Sequence, residues 1–373
     1  MSYQNVSQRY MDRLFYRSDT TFSYLDKLIH SGVNEIVLKL DITLAKGEEE
    51  KYPDGIRLDV EDLVIDGAGH AIDGCGMVRI FENTAKNVTI KNVTLKNGYS
   101  KNPGGAICNE GDLRIVDSML QDNTSDSFGG ALSNSGYLLV EDCRFEENAA
   151  ECGGAIGNDS AHLWVRSCSF CSNRSTLGGA ISNDYGEVKV DYSGFDKNTA
   201  AKGGAIANRG HYPRIPSRKG VSKKFIETFD IPQNDDSDGN LKVCWSGFLQ
   251  NTSDDGGAIA NENGMLSISS CRFSNNSCRC RGGAILSEGD DLVMSRCELN
   301  ENASNCGGAI YYCGYKLNQG LLKIDGCAIS KNSAKRAGGG VYLEYGYPDI
   351  HWSKIDENRP DDVFEQDSGD LEG

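Results

Sequence analysis

The sequence of 373 residues contains no long apolar run, and this absence excludes one class of protein. No stretch approaches the roughly 18 consecutive apolar residues that a membrane-spanning helix requires. The first thirty residues also lack the continuous apolar segment of about 7 to 15 residues that marks a secretion signal. We therefore expect no transmembrane segment and no export directed by this sequence itself, and the sequence leaves the compartment open.

Basic residues and histidines are also scarce. The chain carries 38 Lys and Arg against 54 Asp and Glu, for a formal net charge of −16, and it has only five histidines. A nucleic-acid backbone attracts clustered Lys and Arg, so this balance argues against nucleic acid as a partner. The five histidines stand at distant positions, which gives no support to a mechanism centred on histidine.

What the chain has in abundance is an internal repeat. A Gly-Gly-Ala-Ile motif or a close variant begins at nine glycines: Gly104, Gly129, Gly153, Gly178, Gly203, Gly256, Gly282, Gly307 and Gly338. Most intervals are 24 to 26 residues, and one is 53. A Phe-x-x-Asn element precedes most of these motifs, and an apolar alternation such as Leu138 and Val140 follows them. Self-similarity at a fixed period of this length is typical of solenoid proteins.

Each repeat contains three short segments of alternating apolar residues separated by Asn, Asp, Gly and Ser, a pattern that predicts strands and turns. No single repeat is able to bury a core, but stacking identical positions at the strand spacing of about 4.8 Å produces continuous ladders of side chains. The sequence therefore predicts an all-β right-handed parallel β-helix with about 25 residues per coil. Eleven apolar pairs, counted back to Leu38 and Leu40, and a twelfth at Ile350 and Trp352 predict about twelve coils.

The two ends of the chain differ from the repeats. Phe22, Leu25, Leu28 and Ile29 lie on one face of a predicted helix, with Asp19 or Thr21 as its N-cap. Residues 1–34 are therefore predicted to form a helical cap, residues 35–358 the β-helix, and residues 359–373 an acidic tail.

Two columns of repeated residues are predicted to be structural. Five cysteines occupy one repeat position and are expected to be buried, unpaired and stacked: Cys143, Cys168, Cys271, Cys297 and Cys327. A second column consists of asparagines at one turn position, from Asn123 to Asn358, whose amides are expected to bond to the turn and to the next coil. Asn-x-Ser/Thr matches in this column are consequently not expected to be glycosylated.

The interval of 53 residues indicates an insertion over residues 209–238. Its first half carries six basic residues without a carboxylate, and its second half carries five acidic residues without a base. Insertions in solenoids often carry binding sites, so Tyr212, Arg214, Arg218 and Lys219 are candidate ligands for an anionic polymer. The alternative is a loop whose basic half pairs with its own acidic half.

The Gly-Gly strand provides a second candidate surface. If its Ile faces inward, alternation turns the residue after Ile outward, and this residue is small in most repeats but is Tyr311 and Tyr342 near the C-terminus. The sequence predicts an almost bare face that becomes aromatic, and that accepts a sugar ring, a flat partner or the insertion itself.

The motifs also resemble known families. The segment LVIDGAGHAIDG followed by RIFENTAKNVTIKNVTLKNG resembles the opening coils of pectate-lyase-like β-helix proteins, particularly the adhesin-like proteins of methanogenic archaea. The GGAIxN and FxxN motifs resemble the repeats of chlamydial polymorphic outer-membrane proteins. This resemblance implies an adhesin-like protein at a cell surface or outside the cell.

The sequence favours a non-catalytic binding protein whose ligand is a carbohydrate or a partner protein. One alternative is a carbohydrate-active enzyme, a lyase or hydrolase, acting near the insertion with Asp254, Asp255 and Arg214, and with Ca²⁺ as a possible cofactor but no other metal. The Gly-His-Gly pattern of polygalacturonases does not follow any Asp-Asp pair. A second alternative is a purely structural rod without a ligand, and the oligomeric state is left open.

Overall fold

The computed structural model describes residues 20–210, 240–289, 291–314 and 320–366. The candidate residues Tyr212, Arg214, Arg218 and Lys219 lie outside these ranges, as does Asp19. No helix in the described ranges is long and apolar enough to cross a membrane.

Helix α1, Phe22–Ile29, precedes the first strand, and its N-cap is Thr21, whose side chain accepts a hydrogen bond from the backbone of Tyr24. Phe22, Leu25 and Ile29 are fully buried, as their spacing on one helical face predicts. Glu48 accepts hydrogen bonds from the backbone N–H groups of Phe22 and Ser23 at 3.1 and 2.8 Å. A carboxylate at this position complements the helix dipole and holds α1 against the first coil.

The described residues form three parallel sheets of twelve strands each, and every coil contributes one strand to each sheet. This is a right-handed parallel β-helix of about twelve coils, which confirms the predicted fold class.

Sheet 1 contains the Leu-x-Val segments: β1 Glu35–Val37, β4 Val64–Asp66, β7 Val88–Lys91, β11 Asp112–Val116, β15 Tyr137–Glu141, β18 His162–Arg166, β21 Glu187–Asp191, β24 Leu241–Cys244, β28 Leu266–Ser269, β32 Leu292–Ser295, β36 Leu321–Asp325 and β40 Tyr347–His351. Sheet 2 contains the segments around the Phe position: β2 Ile42–Thr43, β5 Ala71–Asp73, β8 Thr94–Lys96, β12 Met119–Gln121, β16 Arg144–Glu146, β19 Ser169–Cys171, β22 Gly194–Asp196, β25 Gly247–Leu249, β29 Arg272–Ser274, β33 Glu298–Asn300, β37 Ala328–Ser330 and β41 Lys354–Asp356.

Sheet 3 contains the strands that follow the Gly-Gly motif: β3 Ile56–Leu58, β6 Phe81–Asn83, β10 Ile107–Asn109, β14 Leu132–Asn134, β17 Ile156–Asp159, β20 Ile181–Asp184, β23 Ile206–Arg209, β27 Ile259–Glu262, β31 Ile285–Gly289, β35 Ile310–Gly314, β39 Val341–Glu344 and β42 Val363–Gln366. Two short sheets lie between sheets 2 and 3 along the coil. One contains β9 Tyr99–Ser100 and β13 Thr124–Ser125, and the other contains β26 Thr252–Ser253, β30 Ser277–Cys278, β34 Ala303–Cys306 and β38 Ser333–Ala337.

The core is a set of stacked identical side chains. Phe145, Phe170, Phe195, Phe248 and Phe273 form one continuous stack, with ring centroids 4.6 to 4.8 Å apart. The five column cysteines are buried and unpaired, as predicted. The asparagines from Asn123 to Asn358 are also buried, and each side-chain amide from Asn123 to Asn332 donates to the next asparagine of the column, as in Asn198 to Asn251 at 3.0 Å.

The register differs from the sequence prediction at both ends. Ile36, rather than Leu38 or Leu40, pairs with Ile65, and Leu40 is 53% exposed. Near the C-terminus Ile350 pairs with Ile324 rather than with Leu322, and Trp352 lies in the following turn and is 93% exposed. Strand β42 extends sheet 3 beyond residue 358. Repeat motifs are degenerate in the terminal coils, so they define the register there less well than in the middle.

Candidate functional site: the outer face of sheet 3

The Gly-Gly motif creates a tight turn at the start of each sheet 3 strand. Gly256 has φ +65°, and a Cβ atom there would lie 2.4 Å from the carbonyl oxygen of Ile259. A Cβ atom on Gly257 would lie 1.9 Å from the carbonyl oxygen of Gly283 in the next coil. Only glycine fits either position, so these residues bring successive coils into close contact and fix the direction of the strand.

The outward residues of sheet 3 are covered, and the prediction of an almost bare face is wrong. Ser182, Ala207, Ala260 and Leu286 are all buried. A Cβ atom on Gly157 would overlap the ring of Phe128, the residue immediately before a Gly-Gly pair. The turn thus places the side chain before Gly-Gly beside this row of outward residues, which sequence alternation alone does not reveal.

Ion pairs run along and across this row. Lys202, which precedes one Gly-Gly pair, donates to Glu262, which follows the asparagine of strand β27. Arg209 pairs with Asp184 in the preceding coil. Both ion pairs therefore join residues of neighbouring coils.

Arg281 is the centre of the most connected cluster on this face. Its guanidinium donates to both carboxylate oxygens of Asp255, at 3.3 and 3.2 Å, and also to Glu288. The guanidinium carbon lies 5.4 Å from the ring centroid of Tyr311, in a cation–π arrangement. Burial acts to lower the pKa of Arg281, but the hydrogen bond to Asp255 and the charge of Glu288 outweigh it and raise that pKa.

The two predicted aromatic ligands lie beside this cluster and stack on each other. The ring centroids of Tyr311 and Tyr342 are 4.7 Å apart, and Phe364 of strand β42 continues the stack at 4.9 Å from Tyr342. The Tyr311 hydroxyl donates to Glu344, and the Tyr342 hydroxyl donates to Gln366 at 2.7 Å. Burial and the bond to Glu344 raise the pKa of Tyr311 well above its usual value. Tyr311 is buried, whereas Tyr342 and Phe364 are half-buried.

The two predicted catalytic carboxylates are each engaged by an arginine. Asp254 pairs with Arg279 at 3.2 Å, and Asp255 pairs with Arg281 at 3.2 Å. The third predicted catalytic residue, Arg214, lies in the insertion outside the described residues. In the ranges that the structure describes, no three His, Cys, Asp or Glu side chains converge in a way that would hold a metal ion.

The insertion begins at this same face, because strand β23 ends at Arg209 and sheet 1 resumes with β24. Arg209 pairs in register with Glu262 of strand β27, one coil further on. The insertion therefore starts at a residue that belongs to the ion pairs of this face.

Sequence reasoning missed a second surface, the exposed pair Tyr192 and Trp245 in the turn between sheets 1 and 2. Their rings are parallel within 5° and have centroids 6.2 Å apart. A signal for them was present, since aligning the repeats on Leu-x-Val places both residues at a position held in other coils by Asp117, Asp142 or Ser167.

Comparisons with known proteins agree with the repeat pattern and add no activity. Residues 270–288 match the Chlamydia polymorphic membrane protein repeat. The structure is similar to the catalytic domain of a GH87 alpha-1,3-glucanase solved in complex with tetrasaccharides, with 9% identity, a TM-score of 0.34, and coverage of 93% of this chain and 66% of that one. A TM-score this low supports no conclusion about a shared activity. No curated protein matches the sequence. The chain is thus a right-handed parallel β-helix that carries at least one repeat similar to those of chlamydial polymorphic membrane proteins.

Proposed function

We propose that this β-helix is a non-catalytic, adhesin-like binding protein and that its ligand is a carbohydrate. The observation that carries the proposal is the engagement of the two candidate catalytic carboxylates, Asp254 and Asp255, by Arg279 and Arg281. A glycoside hydrolase requires one carboxyl group that donates a proton and a second that attacks or activates water. Because each of these two carboxylates binds a guanidinium, we assign both to structure rather than to proton transfer.

The arrangement of the face supports the same proposal. Its charges are satisfied within the protein by Lys202 with Glu262, Arg209 with Asp184 and Arg281 with Glu288. A preorganised surface of this kind presents a fixed array of polar groups to a ligand without a reactive centre. Tyr342 and Phe364 supply half-exposed aromatic rings at one end, and the predicted residues Tyr212, Arg214, Arg218 and Lys219 belong to the insertion that starts beside it.

The test measures binding and turnover on the same samples. The purified chain is incubated with immobilised neutral and anionic polysaccharides, with and without Ca²⁺, and both retention and released reducing or unsaturated ends are recorded. We expect retention without release. Release of new ends, abolished by Asp255→Asn, would instead establish the enzyme near the insertion, and retention on none of the polysaccharides would leave a protein ligand or a purely structural rod.

A further inference from the structure

The turn between sheets 1 and 2 contains one residue with positive φ in most coils. The residues at this position are mainly short and polar, apart from three aromatic residues and an arginine: Asn92, Asp117, Asp142, Ser167, Tyr192, Trp245, Ser270, Arg296 and Trp352. Short polar side chains tolerate this left-handed backbone, whereas bulky ones are uncommon there. Tyr192 and Trp245, at φ 51° and 52°, therefore occupy a position that the fold alone does not favour for them.

Burial does not offset this unfavourable conformation. Tyr192 is 62% exposed and Trp245 is 57% exposed, and they lie in consecutive coils because strands β21 and β24 are paired. Their rings are stacked in parallel. The same turn position holds Ser167 in the coil before them and Ser270 in the coil after, so neither neighbour in this column has a side chain long enough to cover the outer faces of the pair.

Two glycines beside the pair provide a second, independent observation. Gly194 and Gly247 follow the aromatic residues by two positions, face outward on sheet 2, and pair directly with each other. A Cβ atom on either glycine would meet nothing within 4 Å, so no close packing requires them. Other coils carry larger residues at this place, among them Met119, Arg144, Arg272 and Lys354. These glycines begin their strands, and close approach of a ligand or of another backbone is one of the reasons for which strands carry glycine.

The size and charge of the patch indicate what approaches it. The patch consists of Tyr192, Trp245, Gly194, Gly247 and the 43% exposed Leu249. A specific protein interface engages about 20 to 30 residues on each side, many more than this patch offers. The patch itself contains no charged side chain. Three charged residues near it have ion-pair partners: Asp191 pairs with Lys189 at 3.2 Å, Arg272 with Glu298 at 2.9 Å and Asp196 with Lys197 at 3.6 Å.

We infer that Tyr192, Trp245 and the two glycines form a binding site for a neutral glycan. In this site a pyranose ring stacks on an aromatic face, and the rest of the glycan passes over the flat surface at Gly194 and Gly247, the glycine shelf. A pyranose has an apolar face of axial C–H groups that suits an aromatic ring, and hydroxyl groups at its rim that remain in water. This inference rests on the proposed binding function, but it concerns a surface separate from the outer face of sheet 3.

The experiment titrates the full chain with neutral gluco-, manno- and xylo-oligosaccharides of six units, monitored by tryptophan fluorescence and by calorimetry. We expect at least one neutral probe to bind. Trp245→Ala and Tyr192→Ala should each weaken its binding by about tenfold or more, as truncation of an aromatic anchor does. Hexagalacturonate serves as the charged probe and should bind more weakly at this site.

Two further variants separate loss of the site from loss of the fold. Gly247→Arg places on the shelf the residue that the next coil already carries as Arg272, so the β-helix should fold normally while binding is lost. Trp352→Ala removes an exposed tryptophan at the same turn position of another coil, and it should bind as the original chain does.

The outcomes distinguish this inference from the proposed function. Binding that survives both Trp245→Ala and Gly247→Arg, or no binding of any neutral probe, overturns the inference while leaving the binding function to the outer face of sheet 3. Cleavage of a bound probe overturns the proposed function but leaves the site assignment in place if Trp245→Ala still abolishes binding.

Discussion

Each asparagine in the middle of the buried column uses every hydrogen-bonding atom of its amide. The Nδ2 of Asn251 donates to Asn276 at 2.9 Å and to the carbonyl of Phe195 at 3.0 Å. Its Oδ1 accepts from the backbone and the side chain of Asn198, both at 3.0 Å. A buried amide satisfied in this way adds specificity to the stacking, because the residue has no alternative partner in a shifted register. It also leaves Asn251, which begins an Asn-Thr-Ser sequon, without access to a glycosylation enzyme.

Replacing Asn251 by alanine is predicted to destabilise the β-helix strongly. The change removes the acceptor of the Asn198 backbone N–H, one of the two acceptors of the Asn198 side-chain amide, and a donor to the Phe195 carbonyl. These losses in the core should lower the free energy of unfolding by about 3 kcal/mol. Urea denaturation monitored by circular dichroism measures the loss. The matched control is Asn102→Ala, which removes an exposed asparagine outside the column. Equal stability of the two variants would show that the column contributes little.

At the residue scale the sequence predicts the buried columns well and the outer surface poorly. Cys143, Asn251 and Phe273 recur at fixed intervals, and recurrence translates directly into stacking. The contact of Phe128 with Gly157 depends on a turn that directs the side chain before Gly-Gly towards the outward row, and nothing in the period-two pattern encodes that turn. Tyr192 and Trp245 differ from the short polar residues that most other coils carry at the same turn position, so a search for repeated residues does not find them.

The repeating element is one coil, and its turns tolerate different lengths. One turn connects the asparagine of each sheet 3 strand with the first inward residue of the next sheet 1 strand. This turn runs from Asn109 to Leu113 in one coil and from Asn183 to Val188, one residue longer, in another. The shorter version contains Gly111, where a Cβ atom would lie 2.0 Å from the carbonyl oxygen of Ala85. Gly210 occupies the equivalent place before the insertion, where a Cβ atom would lie 2.2 Å from the carbonyl oxygen of Asn263.

Deleting residues 211–239 is therefore predicted to preserve the fold. Joining Gly210 to Asn240 gives Asn-Arg-Gly-Asn-Leu, which has the same length and the same glycine position as Asn109 to Leu113. The free energy of unfolding should not fall and should rise by about 2 kcal/mol, since closing a loop costs about 0.6 kcal/mol for each doubling of its length. Circular dichroism and the urea midpoint provide the measurement.

The control for this deletion adds Gly210→Ala to the shortened chain. The new Cβ atom has no space in the rebuilt turn, so this variant should be clearly less stable than the deletion alone. If the deletion itself unfolds the chain, the insertion is part of the core architecture. If it folds but no longer retains an anionic polysaccharide, the predicted role of Arg214, Arg218 and Lys219 in binding gains direct support.

Different structures cover the two ends of the described β-helix. At the N-terminal end α1 covers the first coil, and Phe22, Leu25 and Ile29 are completely buried. At the other end the last strand of sheet 3 comes from beyond the repeats, and Asp362 receives the final hydrogen bonds of the asparagine column, from Asn358 at 2.9 and 3.1 Å. A carboxylate thus ends the column of amides by accepting from its last donor. Asp362 lies in residues 359–373, the segment that the sequence predicts to be an acidic tail.

Shortening the chain tests whether the coils act as independent layers. Ending it after Asn358 removes β42 and Asp362, which uncovers Val341 and removes the carboxylate that accepts from the backbone and side chain of Asn358. In a solenoid each coil contacts only its neighbours, so the loss of protection should remain local. We expect hydrogen exchange to accelerate about tenfold or more over Val341–Glu344 and to stay unchanged over Asp112–Val116, near the other end of the rod.

A chain that ends after Gln366 retains strand β42 and should match the full chain. Faster exchange throughout the shortened β-helix would mean instead that the twelve coils unfold as one cooperative unit, whose stability depends on Asp362 at its end.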